Sequence, residues 1–154
     1  QTVSERIEKF YKPYHIILEE LIKKTKSKFN QCLLLDCHSM PSLRESNERG
    51  IGLIRKDIVL GDRFGTACHK EVTDISKIIL QDLGFSVAIN EPYAGAYITS
   101  HYGQPKSKIN AIQIEINRGL YMDENSIKRL PRINDLNKLM LQFLKRLGQT
   151  MLLY

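Results

Sequence analysis

The stretch Cys32-Leu33-Leu34-Leu35-Asp36-Cys37, followed by His38-Ser39-Met40-Pro41-Ser42, decides the fold of this 154-residue chain. A short, continuous apolar run that follows a helical segment is typical of a strand buried on both faces, and hence of a parallel sheet. The polar residues after it predict a loop that Pro41 terminates. We therefore expect a strand over 32–37 and a loop from His38 onward.

The rest of the chain alternates helical and strand patterns. Apolar residues recur at helical spacing in three segments, 4–28, 66–83 and 133–152. The first segment has a possible capping box at Thr2 and Glu5, and Pro13 should interrupt it. Further strands are predicted at 57–60, 85–89 and 111–116, and loops or irregular segments at 43–56, 90–108 and 119–131. This order predicts one α/β domain over residues 1–154, with a layered, mostly parallel or mixed sheet flanked by helices.

Composition excludes several classes of protein. Hydrophobic residues make up 42% and charged residues 26% of the chain, as in soluble globular proteins. No apolar run is long enough to cross a bilayer, so no membrane association is expected. The three cysteines are odd in number and include no CxxC pair, which favours a reducing compartment, the cytoplasm.

The net charge of +6 raises the question of nucleic-acid binding. The densest basic cluster closes a predicted helix, where cations complement the helix dipole: Lys23, Lys24, Lys26 and Lys28. No motif combines aromatic and basic residues in the way that nucleic-acid-binding surfaces do. We therefore expect no nucleic-acid partner.

Two polar residues stand near the carboxyl ends of predicted strands, where α/β sheets bind ligands. His38 follows the first strand, and a neutral imidazole is a common zinc ligand, with Asp36 or a backbone carbonyl to fix its tautomer. Glu115 lies between Ile114 and Ile116, and a buried carboxylate with a raised pKa suits a general base. The pattern alone also fits a histidine that caps a strand and a glutamate that faces solvent.

Further polar residues cluster near these two in sequence. Arg118 either clamps a substrate carboxylate or pairs with Glu115. The glycine- and tyrosine-rich stretch 93–105 has the composition of a pocket wall, and its His101 and Tyr102 are candidate donors to an oxyanion. Its tyrosines equally fit a role in sealing the edge of the core.

Four blocks of the chain resemble, in order, successive blocks of the N-formylglutamate amidohydrolases, and the Tyr11-Lys-Pro-Tyr-His15 segment resembles the helix before them. The blocks are Leu33–Ser42, Asp57–Cys68, Gly95–Pro105 and Ala111–Glu124. The resemblance covers nearly the whole chain. Because the blocks occur at compatible spacing, together they are far more specific than any one of them.

The resemblance implies a fold like that of the zinc carboxypeptidases and phosphorylase/hydrolase-like enzymes. It implies zinc-dependent hydrolysis of an N-formyl or other N-acyl amino acid, such as N-formylglutamate, to formate and the free amino acid. His38 would be a zinc ligand and Glu115 the catalytic carboxylate. Substrate-binding residues would be His101, Arg118, Arg63 and Tyr102, and Asp36 and Ser39 would support the metal ligand.

The chain also departs from the family pattern. Family members begin with a further segment that carries a histidine-and-glycine block and an acidic ligand, and neither is present here. Ser100 stands where a basic residue is usual, and Ala67 where a small hydroxyl residue is usual. We therefore expect the C-terminal part of the family fold, incomplete at its metal site. The alternatives are an inactive remnant or half of a split enzyme, with a complementing chain or self-association covering an exposed sheet edge.

Overall fold

The N-terminal segment is helical, as predicted, but it divides into three parts. The computed structural model describes residues 2–43 and 52–151, so most of the predicted loop 43–56 lies outside the described residues. Helix α1 (Val3–Arg6) passes through a π-helical turn (Ile7–Tyr11) into α2 (Lys12–Phe29). Thr2 and Glu5 form both hydrogen bonds of the capping box. The break comes at Pro13 because proline fits only the first turn of a helix.

The sheet is mixed, which confirms the predicted architecture. Its four strands are β1 (Cys32–Met40), β2 (Ile58–Gly61), β3 (Val87–Ile89) and β4 (Ile109–Asn117). Their order in the sheet is β1-β4-β2-β3. Strand β1 runs parallel to β4 and β2 runs parallel to β3, whereas β2 and β4 are antiparallel.

Three further helices and a short hairpin complete the described chain. They are α3 (Lys70–Asp82), α4 (Tyr97–Tyr102), α5 (Ile133–Met151) and the strand pair β5 (Met122–Asp123) and β6 (Lys128–Arg129), with 3-10 turns at Pro105–Ser107 and Arg118–Leu120. The helix predicted over 66–83 begins later, at Lys70. Helix α4 lies in a segment that we predicted to be a loop, because its six residues are too few to show a helical period.

One side of the sheet, the core face, is apolar. Ile112 and Ile114 of β4 are fully buried there against α3 and α5. The predicted stripes on those two helices supply the other side of this layer, with Phe143 of α5 completely buried at 0% exposure. The apolar half of the alternation in β4 therefore builds the main core.

The opposite side, the polar face, carries the remaining residues of the same strands. At its amino end, α2 and α4 cover it through a second cluster that contains Ile22, Cys32 and Tyr102. Farther along, the polar face presents Asp36 and His38 of β1 beside Gln113 and Glu115 of β4. Helix packing thus leaves a polar region at the carboxyl ends of β1 and β4.

Strand β1 differs from the prediction in two respects. It extends through His38 and Ser39 to Met40, so the predicted loop begins later. It is also an edge strand, paired only with β4 among the described residues, and most of its side chains are half-buried or exposed. The apolar run 32–35 indicated burial on both faces, but one flank of β1 has no neighbouring strand.

The three thiols are free: Cys32 and Cys68 are buried, and Cys37 is exposed on β1.

Within residues 2–43 and 52–151, no helix combines the length and apolar character that a bilayer crossing requires.

Candidate active site

His38 and Glu115 lie side by side on the polar face. They are register partners on the adjacent parallel strands β1 and β4, so their side chains project from the same face of the sheet. Glu115 is buried, with 6% of its surface exposed, whereas the imidazole of His38 is 44% exposed. The site therefore combines a desolvated carboxylate with an imidazole that solvent and ligands can reach.

Asp36, two residues earlier on β1, contacts the imidazole of His38. Its Oδ1 lies 3.1 Å from Nε2 of His38. In the neutral tautomer in which Nε2–H donates this bond, the free lone pair is at Nδ1, which is then available to a ligand. Oδ2 of Asp36 is buried and has no hydrogen-bond partner within the described residues. The Asp36–His38 pair thus retains unused acceptor capacity at the site.

The electrostatic environment of Glu115 favours a retained proton. Burial raises the pKa of its carboxyl group above the usual value, and the nearby Asp36 acts in the same direction. His38, a hydrogen bond from Gln113 and the positive charge of Arg118 all lower the pKa and oppose this shift. The net pKa is raised, which makes the carboxylate a stronger base than an exposed glutamate.

Arg118 follows β4 directly and borders the site. Its Nε donates to Oγ of Ser39 and its Nη2 to the carbonyl of the same residue, both at 3.4 Å. Its Nη1 lies 3.9 Å from a carboxylate oxygen of Glu124. These contacts are long and the side chain is 38% exposed, so the guanidinium remains able to bind an anion. Ser39 contacts this arginine rather than His38.

Arg63 contacts the backbone of the loop before α4. It lies in the turn after β2, where its Nη1 donates to the carbonyl of Gly95 at 3.2 Å. Because β2 is antiparallel to β4, the carboxyl end of β2 reaches Gly61, opposite Gln113, and the chain then continues away from the end of β4. The role of Arg63 in substrate binding, which the family resemblance implies, stays a prediction.

His101 and Tyr102 also lie elsewhere, in an aromatic cluster between α2 and α4. The Tyr102 hydroxyl lies 2.6 Å from Nδ1 of His15, and the His101 ring stacks on Tyr97 at a centroid distance of 4.9 Å. Tyr102 packs against Cys32, which is six register positions before His38, or roughly 20 Å along the strand. Tyr102 therefore takes part in the packing of α4 on the sheet, which is the alternative that the sequence left open for the tyrosines, whereas His101 is exposed.

Comparison with known proteins identifies the family. A sequence profile of the N-formylglutamate amidohydrolases matches residues 1–122. The chain belongs to this family. The N-formylglutamate deformylase of Pseudomonas aeruginosa is 30% identical over 119 residues, which cover 74% of this chain and 42% of that protein. The enzyme of the same name from Pseudomonas putida is 28% identical over 123 residues, 77% of this chain and 43% of that protein.

A solved structure of the same family shares the fold. The N-formylglutamate amidohydrolase of Ralstonia eutropha JMP134 is 32% identical, with a TM-score of 0.82 over 96% of this chain and 53% of that chain. The chain thus spans about half the length of each of these family members.

The described residues do not by themselves form a complete metal site. No group of three or more histidine, cysteine, aspartate or glutamate side chains is arranged to hold an ion within residues 2–43 and 52–151. A catalytic zinc site normally takes three protein ligands and a water molecule. Nδ1 of His38 and the unpartnered Oδ2 of Asp36 are suitable kinds of donor atom. Two donors are too few for a catalytic zinc site of that kind.

Two buried polar residues escaped the sequence analysis, and one of them, Gln113, lies at the site. Gln113 is 4% exposed and donates from Nε2 to Oε1 of Glu115 at 2.8 Å. Its signal was present, because it is a polar residue on an apolar strand two positions before Glu115. Arg55 is also 4% exposed; it donates to the carbonyl of Pro41 at 2.8 Å and lies over the ring of Tyr93. Nothing in its charged segment distinguished it from solvent-facing residues.

Proposed function

We propose that this chain carries the proton-transfer part of an active site that hydrolyses N-formylglutamate or a similar N-acyl amino acid. The observation that supports the proposal most strongly is the pairing of His38 and Glu115 on adjacent parallel strands of a family member. The named relatives are deformylases and amidohydrolases of N-formylglutamate. Catalytic activity of this chain is part of the proposal, since it spans about half of those proteins.

Glu115 is the proposed general base and general acid. Its carboxylate accepts a proton from a water molecule as the water oxygen bonds to the formyl carbon. The same proton then passes to the amide nitrogen as the C–N bond breaks, which releases formate and the amino acid. Burial raises the pKa of Glu115, so its carboxylate accepts a proton more readily than an exposed glutamate does and can then return it.

Arg118 is the proposed partner for a carboxylate of the substrate. It borders Glu115 and is 38% exposed, and a guanidinium can bind a carboxylate through two parallel hydrogen bonds. Ser39 would hold the guanidinium through its two present contacts. Among the substrate-binding residues predicted from the family, Arg118 is the one that acts on the charge of Glu115 and contacts β1 beside His38. The roles predicted for Arg63, His101 and Tyr102 gain no support from their positions.

The proposed cofactor is zinc, with His38 as one ligand and the other ligands from polypeptide outside the described residues. When bound, zinc would polarise the carbonyl and make water more acidic. Two features support a complementing polypeptide. One flank of β1 has no strand beside it among the described residues, and Ile16, Ile17 and Leu21 of α2 are each more than half exposed. Self-association through the same surface is the competing arrangement. Cytoplasmic localisation is proposed from the three free thiols.

Turnover of N-formylglutamate by the purified chain, followed as formate release, tests the function. We expect Glu115→Gln to abolish turnover and Glu71→Gln, an exposed residue of α3, to retain it. Equal rates in the two variants would remove Glu115 from the mechanism. An inactive wild-type chain that binds no zinc would instead support the alternative of a catalytically inactive remnant.

Metal analysis tests the ligand assignment separately. Zinc bound by the wild-type chain should be lost from His38→Ala and kept by His69→Ala, which replaces a histidine at the start of α3. Zinc retained in His38→Ala would refute the assignment of that ligand. Light scattering of the same samples separates a monomer from a self-associated form that covers β1.

A further inference from the structure

Gln113 links the backbone of the loop before α4 to the carboxylate of Glu115. Its Oε1 accepts a hydrogen bond from the backbone N–H of Ala96 at 2.9 Å. Its Nε2 donates to Oε1 of Glu115 at 2.8 Å. The side chain is 4% exposed, so both hydrogen bonds are shielded from water.

The orientation of the Gln113 amide follows from these partners. A backbone N–H can only donate, so the oxygen of the amide must face Ala96. The NH2 group must then face Glu115, where it can only donate. Reversing the amide would place two donors together at Ala96 and two acceptors together at Glu115. The loop thus determines that the NH2 group of Gln113, and not its oxygen, faces Glu115.

The loop is itself seated on the sheet. A Cβ atom added to Gly61 of β2 would lie 2.5 Å from the backbone nitrogen of Gly95 and 2.6 Å from the carbonyl carbon of Ala94. The backbone N–H of Arg63 also donates to the carbonyl of Ala94 at 2.8 Å. The absence of a side chain on Gly61 allows this close approach, which brings the N–H of Ala96 within reach of Gln113.

We propose that Gln113 is a positioning residue, which holds Oε1 of Glu115 so that Oε2 is directed toward the substrate. Within the described residues, Gln113 makes the hydrogen bond to Oε1, and Oε2 accepts none. Oε2 thus keeps its acceptor capacity for a group that approaches the polar face. The catalytic meaning of this arrangement rests on the proposed function, whereas the hydrogen-bonded unit itself does not.

The hydrogen-bonded unit can be tested by NMR spectroscopy without any turnover. We expect the side-chain amide protons of Gln113 to exchange with water far more slowly than those of exposed Gln81, and their resonances to move in Glu115→Gln. The backbone amide of Ala96 should lose its protection in Gln113→Met. If the Gln113 signals exchange as fast as those of Gln81 and do not respond to Glu115→Gln, the proposal is overturned, and this comparison needs no variant of Gln113.

Steady-state kinetics then tests the positioning role. We expect Gln113→Met to lower kcat by about 10²-fold with KM nearly unchanged, as for a misplaced catalytic group. Gln113→Glu keeps the acceptor for Ala96 but turns a carboxylate toward Glu115, so it should fail similarly. An unchanged kcat in a folded Gln113→Met variant would refute positioning. Absence of turnover in the wild-type chain would refute the proposed function. The NMR comparison would then test the hydrogen bonds of Gln113 to Ala96 and Glu115 by itself.

Discussion

Replacing Gly61 with alanine should destabilise the protein through one contact. The new methyl group would meet backbone atoms of the segment 94–95 at 2.5–2.6 Å, and backbone cannot rotate aside as a flexible side chain can. Restoring ordinary contact distances requires the loop to move by about 1 Å, and overpacking of this kind typically costs about 1–3 kcal/mol. The same shift stretches the hydrogen bond from Ala96 to Gln113 and leaves a buried acceptor poorly satisfied, at a further cost of about 1–3 kcal/mol.

These two contributions share one displacement, so we expect a combined loss of about 2–4 kcal/mol in the free energy of unfolding. For a chain of this size, that corresponds to a fall in Tm of roughly 5–15 °C. Urea denaturation followed by circular dichroism measures the loss directly. The control is Gly148→Ala in α5, where an added Cβ meets no atom within 4 Å and the variant should gain about 0.5–1 kcal/mol. If Gly61→Ala is as stable as the wild type, the loop does not depend on this contact, and the support inferred for Gln113 is lost.

Two further predictions concern stability. Burial raises the pKa of Glu115 above its usual value of about 4.5, so the folded state binds the carboxyl proton more tightly than the unfolded chain does. The contribution of Glu115 to the free energy of unfolding therefore falls as pH rises from the usual pKa to the pKa in the folded state. Glu115→Gln removes that fall, so its stability relative to the wild type should increase over this window and then level off; parallel urea-denaturation profiles at all pH values would contradict this. Tyr102→Phe removes the hydroxyl that lies 2.6 Å from His15 and should lower the free energy of unfolding by about 1 kcal/mol. The control, Tyr121→Phe, should be nearly neutral. Equal losses of stability in thermal melts of the two variants would exclude a specific contribution of the Tyr102–His15 hydrogen bond.

The alternation of β4 made half of the site predictable. Ile112 and Ile114 had to face a core, so Glu115 had to face the other side, and the structure has this arrangement. His38 was predicted as a site residue beyond the strand and lies within it. Its face could not be derived from the sequence, because an apolar run does not reveal which side of a strand is covered.

Strand direction determines where Arg63 lies. A sequence of strands and helices does not state whether a given strand runs parallel to its neighbour, and β2 runs antiparallel to β4. The carboxyl ends of β1 and β4 therefore lie at one edge of the sheet, and the carboxyl end of β2 points the other way. Helix α4 posed a different difficulty. It is one and a half turns long and is flanked by Gly95 and Gly103, so local composition indicated a loop.

The exposed thiol on β1 makes the chain selectively addressable by cysteine chemistry. Cys37 is the accessible member of a set of three, since Cys32 and Cys68 are buried. Partial desolvation and the adjacent Asp36 raise the pKa of Cys37, so a maleimide should react with it slowly at neutral pH and faster in mild alkali. Its neighbours along the strand, Asp36 and His38, project from the opposite side. A fluorophore attached to this sulfur would therefore sit on β1, an edge strand among the described residues, on the side away from the candidate site, and its emission would report when another polypeptide is added to the sheet.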